Sequence, residues 1–233
     1  MAADRVFIVR SIPDLARFKR MAPNAELRNG RKHVIGYVGI MGSQDGVDLM
    51  VEAMDELVNR QGRRDVQAVI VGSGTELENL KAMSQRLGLA DAITFTGFLS
   101  GEPLMRALST FEVGVIPDPK NSYNDKISMN KLFEYMTLGI PFMQFDLIEG
   151  RKIAGEAALY ATDNSPADMA RQLARMLDDE TLRTSLAEEG RRRAQALLRW
   201  ENERAQLLAA YDLALGHAKP IAAPAGGMAI GSR

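Results

Sequence analysis

Residues 34–58 read VIGYVGIMGSQDGVDLMVEAMDELV. Val34 to Val38 form an unbroken apolar run that ends in glycines, as a strand buried on both faces would. Leu49, Met50, Ala53, Met54, Leu57 and Val58 then recur at helical spacing. The stretch is a strand, a glycine-rich turn and a helix, and this unit repeats outward along the chain. Val66 to Val71 is a second apolar run, followed by a stripe of Leu77, Leu80, Met83 and Leu87 that Gly88 closes. Ile93 to Phe98 is a third, followed by Leu104, Met105 and Leu108 on a short helix. Val113 to Ile116 stops at Pro117, Met129, Leu132, Phe133 and Met136 mark a helix that ends at Gly139, and Ile140 to Phe145 returns as a strand. After Phe145 the pattern predicts helices only, around Met169, Leu173 and Leu177, then Leu182 and Leu186, then Trp200 to Leu215. Alternation of apolar strands with helices predicts an α/β fold, a doubly wound, Rossmann-like parallel sheet with C-terminal helices outside it.

The flanks lack this pattern. Val6 to Val9 reads as a short strand with a turn at Pro13, and residues 19–32 as a polar, basic linker. The tail from Gly216 is rich in Ala, Gly and Pro and reads as disordered. The expected division is 1–33 (N-terminal strand and linker), 34–215 (the binding domain) and 216–233 (the tail).

Composition narrows the function. The chain has 233 residues, 46% of them apolar, with 29 Lys plus Arg against 30 Asp plus Glu. That balance speaks against a nucleic-acid partner. Cysteine is absent and there are two histidines, His33 and His217. Thiol catalysis, disulfides and zinc–thiolate sites are therefore excluded, and a multi-histidine metal site is not expected. No apolar run approaches the roughly 20 residues of a membrane-spanning helix, and a soluble cytoplasmic protein is expected. The run Arg191, Arg192 and Arg193 reads as a solvated helix face.

Ligands of parallel sheets bind beyond the carboxyl ends of the strands, where Gly39, Gly42, Gly72, Gly74 and Gly97 fall. Taken singly, each glycine is explained by a tight turn. The first turn, spaced G-x-x-G-x-x-G-x-x-x-G from Gly36 to Gly46, is neither a P-loop nor a dinucleotide fingerprint. The most informative segment is NDKISMNKLFEYMTLGIPF, residues 124–142. Asn130 and Lys131 begin its helix, whose first amides favour a phosphate. Glu134 sits one turn on, where a carboxylate can accept two ribose hydroxyls. An ordinary amphipathic helix with Glu134 on a solvated face is the competing reading.

KLFEYMTLGIPF resembles the E-A-M-A-x-G-x-P segment of glycosyltransferase family 4. The resemblance covers about residues 34–215 in the same order. It includes GYVGIMGSQDGVDLMVEAM, VIVGSGTELENLK and ITFTGFLSGEPLMRALSTFEVGVIP. It implies a GT-B glycosyltransferase of two Rossmann-like domains, of which this chain resembles the C-terminal, donor-binding one. Glu134 matches the second acid of the family's E-x7-E pattern, which holds the donor ribose. Ser128, Met129 and Asn130 match the loop whose amides meet the diphosphate, and Gly39, Gly42, Gly72 and Phe98 complete the implied nucleotide-sugar site. The first acid is replaced by Lys126, with Asp125 beside it, and these two stand as candidate catalytic residues. Ile40 and Asp45 occupy positions where the family often has an arginine and a lysine. Lys126 or Lys131 is then left to neutralise the diphosphate.

The implied reaction is sugar transfer from a nucleoside-diphosphate sugar, UDP-sugar among them, to an acceptor hydroxyl, with no cofactor and no metal. An N-terminal Rossmann-like domain is the expected partner, on a separate chain or lost by truncation, without which the chain is expected to be inactive. Residues near Val6 and the helix around Trp200 are expected to carry an exposed apolar surface for it. Two other readings stay open: a non-catalytic nucleotide- or partner-binding module, and a nucleotide-sugar epimerase.

Overall fold

The computed structural model describes residues 5–10, 12, 17–162, 164–197 and 199–217. Six strands form one wholly parallel sheet: β1 (His33–Ile40), β2 (Val66–Ser73), β3 (Ile93–Gly97), β4 (Val113–Ile116), β5 (Phe142–Phe145) and β6 (Ala158–Ala161). Their order across the sheet is β3-β2-β1-β4-β5-β6. The chain thus winds outward from β1 in one direction and then, from β4, in the other. This is the doubly wound α/β arrangement that the apolar runs predict. β1 and β2 pair over eight register positions, from His33 opposite Val66 to Ile40 opposite Ser73.

Eight α-helices are seen among the described residues: α1 (Val47–Asp55), α2 (Leu77–Arg86), α3 (Gly101–Thr110), α4 (Asn130–Leu138), α5 (Ile148–Ala154), α6 (Pro166–Asp178), α7 (Glu180–Leu197) and α8 (Trp200–Ala214). Alternate residues of β1 explain why they cover both faces. Ile35 and Tyr37 join one core with Met50, Met54, Leu57, Leu173 and Met176 of α1, its π-type extension and α6. Val34 joins the other with Leu108, Phe111, Leu132, Phe133 and Met136. Local signals set the ends. Ser165 caps α6 by accepting from Asp168 N, with Pro166 as the first helical residue. Gly139 ends α4 in the left-handed conformation, φ 60°.

Three sequence expectations need correction. Val6 to Val9 forms no strand. Phe145 is not followed by helices only, because α5 and the edge strand β6 intervene before α6. The arginine run is not a uniformly solvated face. Arg192 pairs with Glu189 at the surface, but Arg193 donates to the Ile153 and Lys152 carbonyls at the end of α5. The turn read at Pro13 and the tail beyond His217 lie outside the described residues.

The chain divides into two compact units, Ile12–Leu198 and a smaller one of Met1–Ser11 with Arg199–Arg233. In the smaller unit the Arg10 amide donates to Glu203 Oε2 at 2.7 Å, and Glu203 is the buried residue of α8. Trp200, Leu208, Tyr211, Leu215, Val6 and Ile8 are all at least half exposed. No helix among the described residues is long and apolar enough to cross a membrane.

Candidate functional site

The candidate residues gather at the carboxyl edge of the sheet, where β1, β2 and β4 end. Gly39 and Gly72 face each other in register, with φ of 154° and 134°. A methyl carbon on Gly72 would overlap the Gly39 carbonyl oxygen, so the two backbones approach as only glycine permits. Beyond β1 the chain turns through residues 41–46. Gly42 N donates to Asp45 Oδ2 at 2.8 Å, and Asp45 N returns a bond to the Gly42 carbonyl at 3.1 Å. Asp45 is thus a loop brace, and Ile40, the last residue of β1, is 71% exposed.

The segment after β4 completes the edge. Asn124 is buried and donates to the carbonyls of Pro119, at 2.9 Å, and Gln44, at 3.3 Å, which ties this segment to the first loop. Asp125 Oδ1 accepts from the Ile148 amide at 3.0 Å and lies 3.9 Å from Lys120 Nζ. Its carboxylate therefore anchors the start of α5. Lys126 is exposed. Ser128 donates to Glu149 Oε1 at 3.1 Å.

Met129 is the N-cap of α4 but provides no side-chain cap, and the first turn has no acidic residue. The positive end of the helix dipole, at Asn130 and Lys131, thus lacks a side-chain cap, and helix ends of this kind favour an anion. The Lys131 ammonium turns inward. It lies 2.9 Å from Asp118 Oδ2, donates to Oδ1 at 3.2 Å and sits 5.2 Å from the centre of the Tyr37 ring. Burial pushes the Asp118 carboxyl up despite the adjacent ammonium, and burial likewise raises the Tyr37 phenol.

Glu134 is not on a fully solvated face. It is partly buried, and desolvation pushes its carboxyl above the usual carboxylate range, with the Lys131 charge pulling the other way. Among the described residues no group donates a hydrogen bond to it. A desolvated carboxylate without a donor is a ready acceptor for one.

The structure therefore brings Gly39, Gly42, Gly72, Ser128, Met129, Asn130, Lys131 and Glu134 to one edge. It turns Asp125 toward Ile148. Phe98 follows β3, 74% exposed. Sequence reasoning missed Asp118, Asn124 and Tyr37; the signal for Asp118 was an acid between two prolines directly after a strand. A separate groove of about 730 Å³, between residues 23–27 and α3, contains none of the candidate residues.

Residues 32–179 match the family model described as "Glycosyl transferases group 1". The chain is 31% identical over 173 residues to the alpha-D-kanosaminyltransferase of Streptomyces kanamyceticus, covering 72% of this chain and 43% of that protein. Its fold is similar to that of Anabaena HepE crystallised with UDP (TM-score 0.74, 15% identity, 88% of this chain and 57% of that one). It is also similar to the C-terminal domain of a group 1 family protein from Francisella tularensis (TM-score 0.62, 19% identity, 80% of this chain and 98% of that one). The chain spans about half the length of the curated relatives it matches.

Proposed function

Because the chain belongs to the group 1 glycosyl transferases, we propose that its carboxyl edge holds a nucleoside-diphosphate sugar, whose sugar passes to an acceptor hydroxyl. The observation that carries this reading is the pairing of an uncapped α4 N-terminus with a desolvated, donor-free carboxylate one turn further on. The amides of Ser128 to Asn130 would take the diphosphate and Glu134 the ribose hydroxyls. Gly39 and Gly72 let the ends of β1 and β2 pack together as a floor for the site, Gly42 lies in the turn beside them, and exposed Phe98 offers a face for the base. The departing diphosphate gains negative charge as the glycosidic bond breaks. Fixed dipoles and cations placed there lower the barrier without reorganising. Exposed Lys126 is free to turn toward that charge. Asp125, held by the Ile148 amide, is placed to order the loop more than to take a proton. No metal is required in this scheme.

The acceptor half would come from a second Rossmann-like domain. The exposed apolar residues of the smaller unit, Val6, Ile8, Trp200 and Tyr211 among them, are suited to docking it. A binding module without catalysis is the second reading. Its support is the first loop, where exposed Ile40 and the brace Asp45 supply no cation. Calorimetric titration of the chain with UDP, GDP, ADP and their sugar forms tests the donor site. Saturable binding of one nucleotide supports it, and no binding of any refutes it. Sugar transfer or donor hydrolysis by a nucleotide-binding chain, alone or with its partner domain, separates the transferase from the module.

A further inference from the structure

The ion pair beneath the edge has a role beyond packing. We propose that Asp118 is a positioning residue: it stands in for an absent diphosphate as the counter-ion of Lys131 and limits how much of that charge a bound diphosphate can use. This rests on the donor-site reading above.

The pair is rigidly built. Asp118 lies between Pro117 and Pro119, its side chain is 2% exposed, and Gly46 packs against the Pro117 carbonyl oxygen. Lys131 stands in the uncapped first turn of α4, the place where an oxyanion would be held. Lys131 is buried, and its ammonium is held by Asp118 and the Tyr37 ring. The field there is acidic. Glu134 acts on Lys131 from the next turn of the same helix, and Asp45 acts on both Asp118 and Tyr37 from the first loop. Lys131 thus has Asp118 and Glu134 as nearby carboxylates, and Asp45 adds to the negative field on Asp118, before any ligand arrives. An entering diphosphate must share Lys131 with Asp118 and meets the repulsion of the same carboxylate.

A residue that only scaffolds the loop and one that competes with the ligand predict opposite signs. Asp118→Asn keeps the volume and an oxygen acceptor for Lys131 while removing the charge. A scaffold role predicts equal or weaker anion binding. Competition predicts tighter binding, because the ammonium then has no ion-pair partner of its own in the free chain and the ligand no longer meets the Asp118 charge.

The test is calorimetry at pH 7 on the whole chain, with inorganic pyrophosphate and with the tightest binder among UDP, GDP and ADP. Asp118→Asn should bind both at least tenfold more tightly than the parent, a gain of about 1.4 kcal/mol. Lys131→Met should bind both at least tenfold more weakly. The double variant should regain melting temperature over Lys131→Met, since it no longer buries a lone carboxylate, but not affinity. Asp118→Ser gives the same sign should the Asn variant not fold. A folded Asp118→Asn or Asp118→Ser chain with parent-like or weaker affinity overturns the proposal, as does parent-like affinity in Lys131→Met. Tightening toward pyrophosphate with no nucleotide bound by any variant upholds the role of Asp118 and refutes the donor site. Nucleotide binding that ignores Asp118 does the reverse, and a chain that binds neither probe refutes both.

Discussion

Replacing Glu134 with Gln should weaken nucleotide binding and stabilise the free chain at the same time. The carboxylate is desolvated, its only resolved attraction is to Lys131, and it accepts no hydrogen bond from the described residues. A hydrogen bond to a charged group contributes roughly 1.5–3 kcal/mol against roughly 0.5–1.5 for a neutral one. Two ribose hydroxyls moved from carboxylate to amide should therefore cost about tenfold in affinity or more. Stability moves the other way. The folded chain holds the Glu134 proton more tightly than the unfolded chain does, because burial raises the carboxyl. The stability linked to this group is thus complete below the ordinary glutamate range and is lost as pH rises through the raised value. Gln removes that loss. The melting temperature of the Gln variant at pH 7 should therefore lie above the parent's. The gain should vanish below about pH 4, where both states carry the neutral acid. Glu52→Gln, on the exposed face of α1, is the control and should change neither quantity. Calorimetric titration at pH 7 and thermal melts across pH 3 to 8 provide both readouts. Parent-like affinity in a folded Glu134→Gln chain would remove Glu134 from the site. A fall in melting temperature would show that its charge is compensated in the free chain, contrary to the reasoning here.

Three other substitutions probe separate claims. Gly72→Ala meets both a left-handed φ of 134° and the Gly39 carbonyl, so it should lose roughly 3 kcal/mol or more in urea unfolding; a midpoint close to the parent's would refute the close approach. Arg20→Ala removes bonds to the carbonyls of Leu138 at 2.9 Å, Gly139 at 3.1 Å and Ser109 at 3.2 Å, and should destabilise by about 2–4 kcal/mol without altering nucleotide affinity relative to folded protein. Lys126→Ala should leave the melting temperature unchanged and reduce nucleoside-diphosphate affinity about threefold to tenfold at low salt, with the difference shrinking as salt is added; a salt-independent loss would point to a structural role.

The fold was legible because its signal is repeated and physical. β1, β2, β4 and β5 are dominated by apolar residues that do not alternate with polar ones, interrupted inside the strands only by Gln67 and Gln144, which is what burial under helices on both faces demands. β6 escaped because Ala158-Leu159-Tyr160-Ala161 is an edge strand of four residues, too short to show a period. Val6 to Val9 misled for the opposite reason, since it is apolar but finds no strand to pair with. In the site, the glycines and the place of Glu134 one turn into α4 could be read from spacing. The burial of Glu134 could not, because it depends on what packs around α4. The Asp118–Lys131 pair was hidden for a similar reason. A loop brings Asp118 back under the first turn of α4, and no helical or strand period links the two. Arg193 shows the same limit: a charge run looks solvated until a neighbouring helix ends beside it.

The winding of the sheet has a consequence for how the protein opens. β1 meets β2 over eight register pairs but β4 over two, Ile35 with Val113 and Gly36 with Gly114. The strand ladder is thus narrowest between the two wound halves, with α1 and α6 packing together across it, and the candidate residues divide across that seam. Gly39, Gly42 and Gly72 belong to one half, and Ser128 to Glu134 to the other. Such halves are natural units of partial unfolding. A ligand that touches both acts as a clamp across the seam, and its binding energy opposes their separation. Amide hydrogens of β4 should then exchange more slowly with nucleotide bound, by more than those of the β1–β2 ladder, which the ligand has no need to hold together.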